Sequence, residues 1–188
     1  HKLGRFTSPK YAGLLQYGGS VAGAYLLRRA LHMPWELAGR PDGDLLRQGL
    51  DELRTSERLA ATLGGIANDH HRVSALEITW YMRNQLLRDT DWASMAHSLE
   101  VRVPFLDLDL LRRVAPGLGG PQAPDKRAVA RMVGNLPDEV IDRRKTGFTV
   151  PVRDWLLGGT GLPGARGLRG WAEMLMDQYR VTGNSANC

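Results

Sequence analysis

The stretch from Asp89 to Asp107, DTDWASMAHSLEVRVPFLD, carries more ionisable and hydrogen-bonding side chains than a core element of that length needs. It lies between two apolar segments, so it joins packed structure on both sides. We therefore expect a functional site here. The polar side chains that suggest it are Asp89, Asp91, Ser94, His97, Glu100, Arg102 and Asp107.

The first half of this stretch has helical spacing. Met95 and Leu99 are four residues apart with Ala96 between them, which predicts a short helix from Asp91 to about Ser98. Its N-terminal cap would be one of the polar residues Asp89, Thr90 or Asp91.

The second half alternates apolar and other residues, which predicts a brief extended segment. Val101, Val103 and Phe105 supply the apolar positions, and Pro104 disfavours helical geometry in the residue before it. Glu100 is therefore expected at a junction between helix and extended chain. Such junctions can hold a catalytic side chain rigidly at the edge of a cleft.

Two motifs resemble those of a known family. The segment SMAHSLEVRVPFLD, residues 94–107, and the later segment RRKTGFTVPVRDWL, residues 143–156, are similar to motifs in the C-terminal synthetase domain of glutamine-hydrolysing asparagine synthases. They occur in the family's order, within weaker similarity over residues 11–157. The last thirty or so residues match the family poorly.

The resemblance implies a mainly α chain, namely the helical C-terminal portion of an α/β ATP-pyrophosphatase synthetase domain of the adenine nucleotide α-hydrolase-like type. Residues 1–157 would form this partial synthetase domain. Residues 158–188 begin with GGTGLPGARGLRG and are predicted to form a flexible Gly/Arg-rich tail.

The resemblance also implies a reaction. An asparagine synthase activates the side-chain carboxylate of aspartate with ATP and Mg²⁺, and ammonia derived from glutamine then displaces AMP from the acyl-adenylate. Glu100 matches the family's glutamate near the acyl-adenylate and ammonia, and Lys145 matches its charge-stabilising lysine. Asp91, Arg102 and Asp107 match motif positions that we expect to support the site structurally.

Several family features are absent from the sequence. It contains neither a nucleotide-binding loop of the form SGGxDS nor a later Gly-rich segment ending in Asp-Glu, and its one cysteine is Cys188. We therefore expect a partial chain that is inactive alone, with ATP and Mg²⁺ bound mainly by a missing upstream part. The nucleotide-binding residues stay unknown, and no metal ligands are expected because adjacent His70 and His71 would point about 100° apart on a helix.

Composition indicates one globular domain, with 188 residues of which 43% are hydrophobic and 24% charged. The lone terminal cysteine suits a cytoplasmic protein, and no apolar run approaches the roughly 20 residues that cross a bilayer. The start at His1, without Met or an apolar leader, leads us to expect no signal peptide. The net charge is +5, yet no basic run exceeds three residues, so a nucleic-acid partner is not expected.

Two alternatives remain open. A β-lactam-forming or peptide-cyclising synthetase would keep the fold and the ATP chemistry but use an internal amine. A non-enzymatic basic helical module would instead bind a polyanion, and its affinity would fall by orders of magnitude as salt rises.

Periodicity also predicts three helices outside the motifs. One is an amphipathic helix from Leu45 to about Leu63, and another is a mostly buried helix from Val73 to Leu87. The third follows Asp107 and is expected to end at Pro116-Gly117.

Overall fold

The computed structural model describes residues 12–38, 43–144 and 168–185, with side chains to residue 178 in the last segment. Within these ranges the secondary structure is helical and no strand occurs. The expectation of a mainly α chain is therefore confirmed for the described residues, whereas the ATP-pyrophosphatase fold stays a prediction.

The helices of the first half are short and closely spaced along the chain. They are α1 (Leu14–Tyr17), α2 (Val21–Arg29), α3 (Pro34–Ala38), α4 (Gly43–Leu53) and α5 (Thr55–Ala61).

The second half begins with a long continuous helix that is made of three consecutive elements, and further separate helices follow it. Its elements are α6 (Asp69–Leu76), a π-helical segment (Glu77–Leu87), α7 (Arg88–Met95), a 3₁₀ turn (Pro104–Leu106), α8 (Leu108–Leu118), α9 (Lys126–Met132), α10 (Asp138–Ile141) and α11 (Arg169–Ser185).

Polar caps explain where several of these helices begin. The Ser20 side chain accepts a hydrogen bond from Gly23 N at 3.0 Å, and the Asn68 side chain accepts one from His71 N at 3.1 Å. Each satisfies a backbone N–H that the first turn of a helix leaves without a partner. The starts of α2 and α6 are thus fixed locally.

The core joins α2, α5 and α6. Its buried members are Ala22, Tyr25, Leu59, Leu63 and Leu76, with partly buried Val21, Leu26 and Trp80 packed against them. The Tyr25 hydroxyl donates to the Leu76 carbonyl at 3.2 Å, and Trp80 Nε1 donates to Thr62 Oγ1 at 3.0 Å. Polar groups at the edge of the core are therefore hydrogen-bonded, which removes most of the cost of burying them.

The single helix predicted from Leu45 to Leu63 is wrong, because two helices occupy this region. Arg54 separates them with a left-handed backbone (φ 48°), which interrupts the helical hydrogen bonds between α4 and α5. Gly65, whose φ of 76° glycine adopts without strain, lies in the turn that follows the second helix.

The cap predicted at Asp89 to Asp91 is also wrong. The chain is helical without a break from Asp69 to Met95, so the N–H groups near Asp91 already have partners within the helix. Thr90 donates its hydroxyl to the Leu86 carbonyl at 2.7 Å instead of capping a new helix.

The prediction that residues 73–87 are mostly buried is wrong as well. Leu76 is fully buried, but Val73 and Leu86 are exposed. The helix therefore packs along one stripe, at the core formed with α2 and α5, and leaves its other faces accessible.

Two predictions around Pro104 and Pro116 need correction. The extended segment ends at Val103, because Pro104–Leu106 forms a 3₁₀ turn. Helix α8 continues through Pro116 to Leu118. Pro116 removes one backbone hydrogen bond from the last turn of α8, and the helix ends two residues after it.

Helix α11 lies within the predicted tail and contacts the first half of the chain. Arg169 donates two hydrogen bonds to Glu36, with Nη1–Oε1 at 2.6 Å and Nη2–Oε2 at 3.0 Å. Part of the region after Gly158 is thus helical and held by an ion pair rather than wholly flexible. The division of the chain at residue 157 stays a prediction.

Candidate active site

The first motif begins at the end of helix α7. The Leu99 N–H donates to the Ser94 carbonyl at 3.0 Å, and the Ser98 N–H donates to the Met95 carbonyl at 3.0 Å. This pair of bonds is the Schellman motif, a common C-terminal helix cap. It ends helix α7 at Met95, five residues before Glu100.

The Schellman turn requires a left-handed residue, and here that residue is Ser98 with φ 55°. Glycine usually occupies this position because a left-handed backbone costs other L-residues about 1–2 kcal/mol. Nothing in the amino-acid pattern marks the turn, so the sequence predictions gave Ser98 no role beyond the end of a helix.

Glu100 follows the turn and is paired with Arg102. Arg102 Nε lies 3.0 Å and Nη2 2.9 Å from Glu100 Oε1. The side chains of Glu100 and Arg102 are 73% and 84% exposed, and such exposed ion pairs contribute only about 0–1 kcal/mol to stability. The pair thus constrains where the carboxylate points more than it stabilises the fold.

The hydrogen bond from Arg102 Nε and the ion-pair contact of its Nη2 both involve the same oxygen of Glu100. Among the residues that the structure describes, no donor contacts the other oxygen, Oε2. One carboxylate oxygen is therefore held while the second can accept a hydrogen bond or a proton from a bound molecule.

Asp107 closes the motif on the other side. Its Oδ1 accepts a hydrogen bond from Leu110 N at 2.8 Å, and its own N–H donates to the Pro104 carbonyl at 3.3 Å. Asp107 thereby caps helix α8 and fixes the 3₁₀ turn. The segment that carries Glu100 is anchored by local hydrogen bonds at both ends.

Asp91 is not brought to this group. Within the described ranges, no hydrogen bond or ion pair joins its carboxylate to Glu100 or Arg102. Its backbone carbonyl accepts a hydrogen bond from the Ser94 hydroxyl at 3.1 Å, so its observed contact belongs to helix α7. A supporting role for Asp91 in the site stays a prediction.

Lys145 and nearly all of the second motif lie outside the described residues, so the structure does not test their approach to Glu100. The described range that begins at residue 43 ends at Arg144, and both Arg143 and Arg144 are exposed. Nearby, Asp142 Oδ1 forms ion pairs with Arg127 and Arg131, and it lies 3.5 Å from a guanidinium nitrogen of each. The chain thus enters the second motif from a positively charged surface.

The described residues also bear on where a metal ion could bind. In residues 12–38, 43–144 and 168–178, no three His, Cys, Asp or Glu side chains lie close enough together to hold a metal ion. Magnesium often binds through only one or two carboxylates together with substrate phosphates, so the residues that would hold Mg²⁺ stay a prediction.

Two cavities lined by described residues lie away from this motif along the chain. One of about 640 Å³ is bordered by α2 and the π-helical segment, and its walls include Tyr25, Arg29, Trp80 and Tyr81. Arg29 is ion-paired with Glu77 and its guanidinium carbon lies 3.7 Å from the Tyr81 ring centroid. No lining residue of this cavity belongs to residues 88–107.

A family model for asparagine synthase matches residues 21–182. The chain belongs to the asparagine synthase family. The match includes both motifs and extends through most of α11, further than the resemblance seen in the sequence.

Individual relatives carry the same family name. The glutamine-hydrolyzing asparagine synthetase 1 of Bacillus subtilis (strain 168) is 34% identical over 93 residues, which are 47% of this chain and 15% of that protein. A protein of Mycobacterium bovis, provisionally named a glutamine-hydrolyzing asparagine synthetase, is 35% identical over 92 residues, 47% of this chain and 14% of its own length. No solved structure matches the chain.

The chain thus covers about a seventh of the length of the curated relatives that it matches. In this member of the asparagine synthase family, the structure brings Glu100 and Arg102 together and places Asp107 in a cap. Ser94 and His97 take part in the end of α7, where the His97 N–H donates to the Ser94 carbonyl at 2.9 Å. The observed hydrogen bonds of these two residues therefore belong to the end of helix α7. Among the residues described, no helix is long and apolar enough to cross a membrane.

Proposed function

We propose that this chain is the C-terminal part of the synthetase domain of an ATP-dependent, AMP-forming amidotransferase that converts aspartate to asparagine in the cytoplasm. The ammonia would come from glutamine, hydrolysed elsewhere in the same longer protein. The proposal rests on family membership over residues 21–182 together with the paired Glu100 and Arg102 in the family's motif.

Glu100 would act in the second half-reaction. Ammonia attacks the carbonyl carbon of the activated aspartate, the C–O bond to AMP breaks, and a proton must leave the nitrogen. Glu100 Oε2 would accept that proton, since Arg102 engages only Oε1. Arg102 would hold the carboxylate in the orientation that the transfer requires.

Lys145 would act through its charge. During adenylation the bond to pyrophosphate breaks and negative charge develops on the departing group. A fixed ammonium near that charge lowers the energy of the transition state. Lys145 follows Arg143 and Arg144, so the local sequence already favours an anionic ligand.

ATP and Mg²⁺ would be bound mainly by parts of the longer protein outside this chain. In the described residues no three His, Cys, Asp or Glu side chains form a metal-binding group, and the sequence lacks the SGGxDS loop. We therefore expect the 188-residue chain alone to bind ATP too weakly to detect at millimolar concentration. Mg-dependent ATP binding by the isolated chain, seen by calorimetry, would contradict this division of roles.

The test uses the full-length protein and follows two reactions. With aspartate, ammonia and MgATP it should form asparagine, AMP and pyrophosphate in equal amounts, and it should exchange labelled pyrophosphate into ATP only when aspartate is present. Exchange that requires a different carboxylate, with an amine in the same molecule, would identify the β-lactam or peptide-cyclising reaction instead. Binding to nucleic acid that weakens steeply with salt, without either reaction, would favour the basic binding module.

Substituting Lys145 tests its assigned role. Lys145→Ala should reduce exchange and asparagine formation together by about 10²–10³-fold, the usual cost of losing one charge-stabilising donor. Lys145→Arg should recover only part of the loss, because a planar guanidinium does not replace a compact ammonium. Normal rates in Lys145→Ala would remove the residue from the site. Arg143→Ala, two positions away, serves as the control for loss of one positive charge.

A further inference from the structure

We propose that Ser98 is a positioning residue, whose left-handed backbone places Glu100 where Arg102 can hold it for the amide-forming step. The proposal deepens the proposed function, since it concerns the same site and rests on Glu100 acting there.

The backbone of Ser98 is unusual among the described residues. Apart from glycine, only Ser98 and Arg54 have positive φ in the ranges that the structure describes. A non-glycine residue in this region is strained, and such residues cluster at functional sites because the strain fixes a required geometry. Arg54 lies between helices α4 and α5, whereas Ser98 lies two residues before Glu100.

The turn ends the helix before Glu100, which allows Glu100 and Arg102 to face each other. In an uninterrupted α-helix, residues i and i+2 point to different sides and do not face each other. If α7 continued past Ser98, Glu100 and Arg102 would be separated in this way. The observed hydrogen bond at 3.0 Å and the ion-pair contact at 2.9 Å form after the chain has left the helix.

The hydroxyl of Ser98 is not what the turn uses. The two bonds of the Schellman motif are made by backbone groups of Ser94, Met95, Ser98 and Leu99. Substitutions at Ser98 can therefore separate backbone conformation from side-chain chemistry. Glycine adopts φ of 55° without strain, alanine tolerates it about as well as serine, and β-branched valine resists it.

The experiment compares Ser98→Gly, Ser98→Ala and Ser98→Val in the full-length protein, with Arg54→Val as a matched control. Ser98→Val should lower asparagine formation by about 10²-fold, as expected for a small misplacement of a reacting group, while pyrophosphate exchange stays near the wild-type rate. Ser98→Gly and Ser98→Ala should keep both rates. Arg54→Val places valine at the other left-handed site and should lower the melting temperature without changing the ratio of the two rates.

A second measurement follows the geometry directly. The NMR resonance of the Arg102 Nε–H, which donates to Glu100, should shift in Ser98→Val and stay in place in Ser98→Gly. An unchanged Arg102 resonance in Ser98→Val would overturn the positioning role whatever the rates. Equal losses of exchange and asparagine formation in Ser98→Val would reduce the turn to a folding element and overturn it too.

These outcomes separate the two proposals. If the wild-type protein lacks aspartate-dependent exchange, the proposed function fails, and the Arg102 resonance still decides whether Ser98 positions the pair. If the exchange is present and Glu100→Gln blocks amide formation while Ser98→Val does not, only the positioning role fails.

Discussion

Two regions of the chain are stabilised in different ways. Around α2, α5 and α6, side chains such as Tyr25, Leu59 and Leu76 are buried in a common cluster. Between residues 88 and 144, large apolar side chains are instead exposed: Trp92, Met95, Leu99, Val101, Val103, Phe105, Leu108, Leu110, Val114, Val129, Met132, Val133, Leu136 and Val140.

The motif region is ordered by hydrogen bonds at the ends of its helices. The Schellman turn at Ser98 and the cap by Asp107 bracket Glu100, and Asp125 caps α9 through Ala128 N at 2.7 Å. Burial stabilises the first region, whereas the second has a defined backbone without a core of its own. The position of Glu100 therefore depends on local geometry.

The largest expected difference between the regions is in the cost of truncating an apolar side chain. Leu59 is 2% exposed, so Leu59→Ala should lower the free energy of unfolding by about 2–5 kcal/mol. Met132 is 82% exposed, and Met132→Ala should change it by less than about 0.5 kcal/mol. Urea unfolding measures both. Similar costs for the two variants would show that residues 88–144 have a packed core after all.

The ion pair between Glu36 and Arg169 should make the next largest contribution to the free energy of unfolding. Burial raises the pKa of Glu36, but hydrogen bonds from Arg169 and from the Met33 N–H outweigh this effect and hold the pKa below 4.5. Glu36→Gln leaves the partly buried Arg169 without its partner and should cost about 1–3 kcal/mol at pH 7.

The same pair predicts a pH dependence. Because the folded-state pKa of Glu36 is lowered, its contribution to stability is complete above pH 4.5 and is lost as the pH falls through the folded-state value. Urea unfolding across this range should show a smaller decline for Glu36→Gln than for the wild type. An identical decline in both proteins would mean that Glu36 is not the group responsible.

The smallest of these stability effects is expected at the cap of α8. Asp107→Ala removes the acceptor for Leu110 N and should cost about 1 kcal/mol, while Asp107→Asn keeps a capping oxygen and should cost less. Helix content from circular dichroism and urea unfolding together measure the loss. If Ala and Asn behaved alike, the charge of Asp107 rather than its cap would be what matters.

Helix starts were predictable where a side chain near in sequence decides them. A polar residue directly before the first helical turn marks such a start, as Asn68 does for α6. The helix end near Ser98 was predicted, but its left-handed turn and the break at Arg54 were missed, since a left-handed residue other than glycine has no sequence signature. The uninterrupted helix through Asp91 was missed because polar residues such as Asp89 and Thr90 cap helices as readily as they occupy helix surfaces.

The site was predictable only in part. The junction at Glu100 followed from the change of periodicity, and the roles of Glu100 and Lys145 came from the resemblance alone. The pairing of Glu100 with Arg102 was missed, although side chains two residues apart lie on the same face of an extended segment. The approach of Lys145 to Glu100 lies outside the described residues and stays a prediction.

The measurement that tests the central claim most directly is the effect of Glu100→Gln on the two half-reactions of the full-length protein. If Glu100 Oε2 accepts the proton of the attacking ammonia, asparagine formation should fall by about 10²–10⁴-fold, the usual contribution of a general base. Aspartate-dependent pyrophosphate exchange should remain measurable, since adenylation precedes that step. Equal loss of both reactions would place Glu100 in the adenylation step, and wild-type rates of both would contradict its role in the site altogether.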